Sequence, residues 1–263
     1  MWRTKFTPAP LPGSKDAVMT YISDLGDVGP GDVAVAGGKA VGLGGLIHAG
    51  LPVPPGFVLT TDAYSHFVDA NHLAADIQEI ATLPPQAEPQ AYEDASKRIT
   101  TLFMTGTMPA EIAAELGAAY GHLGSRETAV AVRSSATAED LASASFAGQQ
   151  ETYLNVRGMV ELSTAVTGCW ASLWTARAMA YRAREGVGPQ EVRLAVVIQQ
   201  MVEAEAAGVM FTANPSNGRR DQTVISAAWG LGESVVSGAV TTDDLVVDAG
   251  TGNVVSRRTA DKA

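Results

Sequence analysis

AVAVRSSATAEDLASASFAGQQETYLNV, residues 129–156, is the stretch from which the rest of the chain is best read. Residues 129–133 form a short apolar run ending in a cation, which predicts a strand that carries Arg133 at its tip. Residues 134–140 are small and hydroxyl-rich. Residues 143–150 are small again, with one aromatic, Phe146, and one glycine, Gly148. Small side chains let backbone N–H groups approach a ligand closely, and Ser and Thr hydroxyls add donors. A guanidinium held beside such a loop suits a polyphosphate, which takes planar charged donors and backbone N–H groups together. On composition alone the favoured reading of the stretch is an Ala/Ser-rich loop with one surface arginine.

Bulk properties narrow the possibilities. At 263 residues the chain can bury a sizeable core, as one large domain or two smaller lobes. With 46% hydrophobic and 17% charged residues its composition is that of a globular protein. A net charge of −10 argues against a general nucleic-acid binder, which needs surplus cations for phosphates, but not against a nucleotide site, which needs only a few. Cys169 is the single cysteine, so an internal disulfide and a cysteine-based zinc site are excluded. No signal-peptide core and no apolar run of membrane-spanning length is present, and a cytoplasmic location is expected.

Outward from the central stretch, residues 1–16 read as a loose leader containing Pro8, Pro10 and Pro12. A short strand is expected near 33–36 and a helix over 39–49, stopped by Gly50. LPVPPG (51–56) is turn material and 57–60 a strand. Thr61 or Asp62 is expected to cap a helix with Tyr64, Phe67 and Val68 on one face. Residues 82–90 read as a linker, followed by helices over 91–103 and 109–120. The clearest helix spans 161–185, with Trp170, Trp174 and Tyr181 as core or lobe-packing aromatics and Gly186 as its end. Strands are expected over 192–202, 208–212, 223–228, 245–248 and 254–257, the last two joined by a hairpin turn. The fold class is α+β with at least two lobes.

Several segments carry possible chemistry. Gly37-Gly38-Lys39 is not a Walker A motif, since Val33 stands where that pattern needs glycine and Ala40 where it needs Ser or Thr. Paired glycines before a lysine at a helix start still place a cation and N–H groups toward an anion; the plain alternative is a turn and a solvated lysine. Gln199, Gln200, Met201 and Val202 close an apolar run, where a strand passing into a loop offers adenine a backbone donor and acceptor beside an apolar lid. Read without other information, that run is a core strand. Glu139-Asp140 are adjacent and point apart on a regular element, which suits capping or a surface role better than metal binding. His48, His66, His72 and His122 are scattered and form no metal-like cluster.

The wording of these segments adds a further reading. RSSATAEDL (133–141) with ASFAGQ (144–149), the Gly38-Lys39 pair, GLPVPPGF (50–57), VIQQMV (197–202), FTANP (211–215) and WGLGESVV (229–236) closely resemble the ATP-binding domain of the phosphoenolpyruvate synthase, pyruvate phosphate dikinase and rifampin phosphotransferase family. The likeness covers about 37–248. Ala40 and Gly42 stand where the family usually has glycine and asparagine, and Ala142 where it often has proline.

The resemblance implies an ATP-grasp-like fold: a leader over 1–16, a smaller lobe over 17–124 and a strand-rich lobe over 125–263, with nucleotide between the lobes. It implies that Lys39 and Arg133 clamp the ATP phosphates as catalytic residues. Ser145, Ala147, Gly148 and Gln149 would form the loop that covers them. Gln199, Gln200, Met201 and Val202 would hold adenine, and Glu233 would contact the ribose or phosphate end. Mg2+ is the implied metal, with its ligands expected after the segment matching Asp248 and none in this chain. The expected reading is therefore a C-terminally truncated ATP-binding domain. It would work with a phosphohistidine domain and an acceptor domain, in cis or in trans, and be inactive alone. No nucleic-acid or membrane partner is implied. Phosphoenolpyruvate synthase is the leading match and rifampin phosphotransferase the close rival. A non-catalytic nucleotide- or partner-binding module is the alternative of another class.

Overall fold

The apolar run LAVVIQQ becomes the strand on which the first sheet is built. The computed structural model describes residues 20–136 and 151–260. Among these, β1 (Ile22–Asp24), β2 (Gly56–Leu59), β3 (Val130–Ala136), β4 (Thr152–Val156) and β5 (Leu194–Gln200) form an antiparallel sheet in the order β1-β2-β5-β3-β4. β5 is central and buried along nearly its whole length, as expected of a strand whose residues are apolar on both faces. Its side chains alternate between two cores. Leu194, Val196 and Ile198 join Phe57, Leu59, Val130 and Val132 on one side; Ala195 and Val197 join Val58, Ala36 and Ala40 on the other.

The larger core is roofed by helices. These are α2 (Thr61–Ala70), α3 (Ala74–Ala81), α4 (Pro89–Thr105), α5 (Ala110–His122), α6 (Gly158–Ser172) and α7 (Ala176–Glu185). Four aromatics tie three of them together. Phe67 lies 5.0 Å from Trp170 and 5.7 Å from Phe103 between ring centroids, and Tyr64 meets Trp170 edge-on at 6.2 Å. Each buried ring contributes about 1.5–3 kcal/mol of hydrophobic stabilisation, and such pairs add about 0.5–1.5 kcal/mol more. The smaller core is covered by one helix, α1 (Val33–His48).

Four local expectations are corrected. Residues 33–36 are helical, not a strand: they are the first turn of α1, which continues across a bend at Gly37. Thr60, not Thr61 or Asp62, is the N-cap of α2; Thr61 instead donates its hydroxyl to the Ala34 carbonyl at 3.1 Å. The helix expected over 161–185 is two helices, α6 and α7, broken at residues 173–175. Thr175 caps α7 by accepting from the Ala178 N–H, and Arg182 donates to the Leu173 carbonyl at 2.6 Å while lying 5.0 Å over the Trp174 ring. This buried cation closes the C-terminal end of α6, where carbonyls lack helical partners. Its burial pulls the Arg182 pKa down to about 10. Finally, β3 extends through Ala136, so Arg133 sits mid-strand and not at a tip. Ser134 and Ser135 continue the ladder because β5 offers them partners in Val196 and Ala195. The segment over 74–81, not expected as a helix, is α3. The leader over 1–16 lies outside the described residues.

A second antiparallel sheet has the order β6-β7-β8-β9, from β6 (Ala206–Phe211), β7 (Gln222–Trp229), β8 (Asp243–Asp248) and β9 (Val254–Arg258), with the short helix α8 (Gly232–Val236). The β8–β9 hairpin turns at Gly252, whose φ of 72° needs glycine. The chain separates into two compact units, dividing between Met201 and Val202. Strands from either side of residue 124 thus share the first sheet. The architecture is α+β, and among the described residues no helix is long and apolar enough to cross a membrane.

Cys169 is fully buried on α6, and desolvation pushes its thiol up to about 12. A raised folded-state pKa stabilises the fold below the unfolded thiol's value of about 8.5 and loses that contribution as pH rises toward the folded value. Wild-type stability is therefore expected to fall relative to Cys169→Ala between about pH 8.5 and 12, read from urea midpoints. Parallel curves would refute the burial of the thiol.

Candidate functional site

The centre of the site is the bend in α1. Gly37 has φ 75° and ψ 164°, so the helix stops there and starts again at Gly38. A side chain is excluded twice over: by the positive φ, and because a Cβ would lie 2.2 Å from the Ser135 carbonyl oxygen. β3 occupies that space. Ser135, fully buried, donates its hydroxyl to the Ala36 carbonyl at 2.8 Å and accepts from the Ala40 N–H at 3.2 Å. One hydroxyl thus bridges the end of the first helical segment and the first turn of the second. Lys39, half-buried on that first turn, donates from Nζ to the Ser134 carbonyl at 2.7 Å.

Register places Arg133 on the same side of the sheet. Arg133 pairs with Val197, Ser135 with Ala195 and Ala131 with Gln199, and paired residues share a face. Val197 and Ala195 belong to the core under α1. Lys39, Arg133 and Gln199 therefore occupy the α1 side of the first sheet, two of them cationic. Gln199 is buried and donates to the Pro54 carbonyl at 3.0 Å, which fixes the LPVPPG turn against the end of β5. Gln200 lies on the opposite face, opposite Val130. The N–H of Gln200 is bonded to the Pro55 carbonyl at 2.8 Å and that of Met201 to the Ala129 carbonyl at 2.9 Å. Both donors are thus engaged inside the sheet. Val202, 55% exposed, begins the second unit.

Within the second unit, Glu233 is exposed in the first turn of α8, where a carboxylate is favoured by the helix dipole. FTANP ends β6 and opens the β6–β7 connection. Asn214 is buried there, accepts from the Ser216 N–H and donates to Gln222 at 2.9 Å, which accounts for the motif as a turn organiser. Ser145, Ala147, Gly148 and Gln149 lie outside the described residues, as do Glu139 and Asp140. No group of three or more His, Cys, Asp or Glu suited to a metal occurs among the described residues. Of the histidines, His66 stacks on Tyr21 at 5.3 Å and His48 bonds the Gly26 carbonyl at 2.7 Å. Sequence reasoning passed over Ser134, Ser135 and the conformation of Gly37. The doubled glycine was a signal for the last; the contact between residues some 95 positions apart had none.

Residues 33–263 match the family described as pyruvate phosphate dikinase, AMP/ATP-binding domain. The chain belongs to this family. Within the dikinase ATP-binding family it is 45% identical, over 256 residues, to a probable phosphoenolpyruvate synthase of Methanocaldococcus jannaschii, covering 96% of this chain and 22% of that protein. The phosphoenolpyruvate synthase of Pyrococcus furiosus is 42% identical over 92% of this chain and 34% of its own length. The rifampicin phosphotransferase of Streptomyces sviceus is 44% identical over 90% of this chain and 27% of its own. The chain therefore spans between about a fifth and a third of these relatives.

The donor set suits the nucleotide that the family name specifies: an ammonium at a helical first turn and a guanidinium on the same sheet face, both chemically matched to phosphate. The bend carries the first consequence. Gly37→Ala is expected to cost about 2–4 kcal/mol, combining a strained positive φ with a backbone collision. Urea denaturation measures this; a loss below about 0.5 kcal/mol would mean that the bend is not tightly packed.

Proposed function

We propose that this chain is the ATP-binding part of a dikinase-type phosphotransferase of the phosphoenolpyruvate synthase kind, with an ATP-grasp-like fold. The observation that carries the reading is the placement of Lys39 and Arg133 on one side of the first sheet, with Lys39 on a helical first turn. Phosphate wants such a grouping, since fixed cations and helix N-terminal N–H groups act on the same anion. Lys39 and Arg133 then neutralise and orient the polyphosphate. Gln199 holds the 51–56 turn against the strand end, and the backbone about Met201 and Val202 receives the adenine. Ser145, Ala147, Gly148 and Gln149 are proposed to cover the phosphates, and Glu233 to contact the ribose or phosphate end.

When bound, ATP supplies a phosphoryl group, and Mg2+ is the proposed counter-ion. The contribution of these residues is positioning and charge neutralisation. The proposed acceptor is a histidine of a separate domain, with pyruvate as the final acceptor. The identity to a rifampicin phosphotransferase supports the second reading, in which an antibiotic takes that place.

Calorimetric titration of the chain with Mg-ATP tests the reading. A charge-assisted hydrogen bond contributes about 1.5–3 kcal/mol, so Lys39→Ala and Arg133→Ala are each expected to weaken binding about ten- to hundredfold. Wild-type affinity in both variants would overturn the site.

A further inference from the structure

The second segment of α1 begins without a cap of its own. Counted from the bend, Gly37 is the N-cap residue, and Gly38, Lys39 and Ala40 are the first three helical positions. An N-cap side chain normally accepts from the N–H at the second or third of these. Gly37 has no side chain to do so, and cannot carry one, because β3 fills the space. The missing acceptor comes instead from Ser135, on a strand 98 residues later, whose hydroxyl oxygen takes the Ala40 N–H at 3.2 Å. The same hydroxyl donates to Ala36, so the group is oriented from both sides of the bend. Its neighbour Ser134 offers the carbonyl that receives Lys39 Nζ.

We infer that Ser135 is a positioning residue for Lys39: it caps the Lys39-bearing helical segment from β3 and so fixes where the ammonium stands. This rests on the proposed role of Lys39 as a phosphate ligand. A cap supplied by the segment itself would move with the helix. A cap supplied by β3 ties the Lys39 backbone to the strand that also carries Arg133, so the two cations hold a set spacing. Loss of the hydroxyl leaves the Ala40 N–H and the Ala36 carbonyl without these partners and frees the bend to shift.

A double-mutant cycle tests this, with ATP and adenosine titrated against the wild-type chain, Ser135→Ala, Lys39→Ala and the double variant. The expected result is a loss of ATP affinity of about three- to tenfold in Ser135→Ala, the usual scale of a lost cap. Adenosine affinity should be unchanged, and little further loss should occur when Lys39 is already alanine. Ser135→Thr, which keeps the oxygen, should restore most of the ATP affinity. Equal losses for ATP and adenosine, or an undiminished loss in the Lys39→Ala background, would show a general structural role and overturn the inference. If Lys39→Ala itself leaves ATP affinity unchanged, the phosphate site fails first and the positioning role with it. Should Ser135→Ala not fold, hydrogen exchange in the wild-type chain still decides. The Ala40 amide must be protected well above the level of an unbonded amide, and an unprotected Ala40 amide overturns the cap.

Discussion

The contact between the α1 bend and β3 is the constraint on which the first unit depends. It joins segments about 95 residues apart through three hydrogen bonds, from Lys39 to Ser134, from Ser135 to Ala36 and from Ala40 to Ser135. Sterics make it specific. A glycine is required at 37, and a small hydroxyl side chain at 135, because backbone meets backbone at that point. The buried Ser135 hydroxyl, bonded both as donor and as acceptor, also leaves little choice of register: a one-residue slip of β3 would turn Ser135 to the other face. The bend therefore fixes which residues of β3 face α1, and with them the side on which Arg133 stands.

β5 extends that constraint across the sheet. It pairs with β2 on one edge and β3 on the other, and its alternation sends Ala195 and Val197 under α1 and Leu194, Val196 and Ile198 under the aromatic helices. The small Ala195 and Ala36 allow α1 to lie close to the strands, whereas the opposite face accommodates Phe67, Phe103 and Trp170. A thin layer on one side and a thick one on the other thus follow from residue size. The thin side is the one that carries the half-buried Lys39 and Arg133.

Much of this was legible in the sequence where the signal is local. The glycines at 50 and 186 stop helices by adopting positive φ, and the alternating runs give β6 to β9 with a hairpin over 249–253. Val33 and Val35 suggested a strand, but the turn at residues 30–32 and the demand of the bend place them in a helix, so tertiary contact overrode propensity. The break between α6 and α7 was hidden because the apolar spacing runs through it; only the buried Arg182 and the Thr175 cap show why the helix stops. The serines at 134 and 135 resembled a loop because composition does not show that β5 lies alongside. In the candidate site, Lys39 and Arg133 were legible from motif wording, but their common sheet face required the register, and the part played by Ser135 required the fold.

Motif likeness and ligand contact are separate matters, as two segments illustrate. FTANP is explained by Asn214, whose buried amide organises the turn, so its wording needs no ligand. Lys39 is different. It donates to a backbone carbonyl, and Arg133 stands on the same side of the sheet, in a chain whose net charge is −10. That imbalance bears on how a polyanion could bind. Repulsion from the chain as a whole acts over long distances and is screened beyond about 8 Å at physiological salt, whereas cations in hydrogen-bond contact are screened little. On the proposed reading, an acidic surface would slow the approach of a nucleotide more than it would weaken a bound one, and the local pair would decide affinity. The requirement then falls on placement: two charges on different elements act on one polyphosphate only if their spacing is held, and the bend packed on β3 is the feature that ties those elements together.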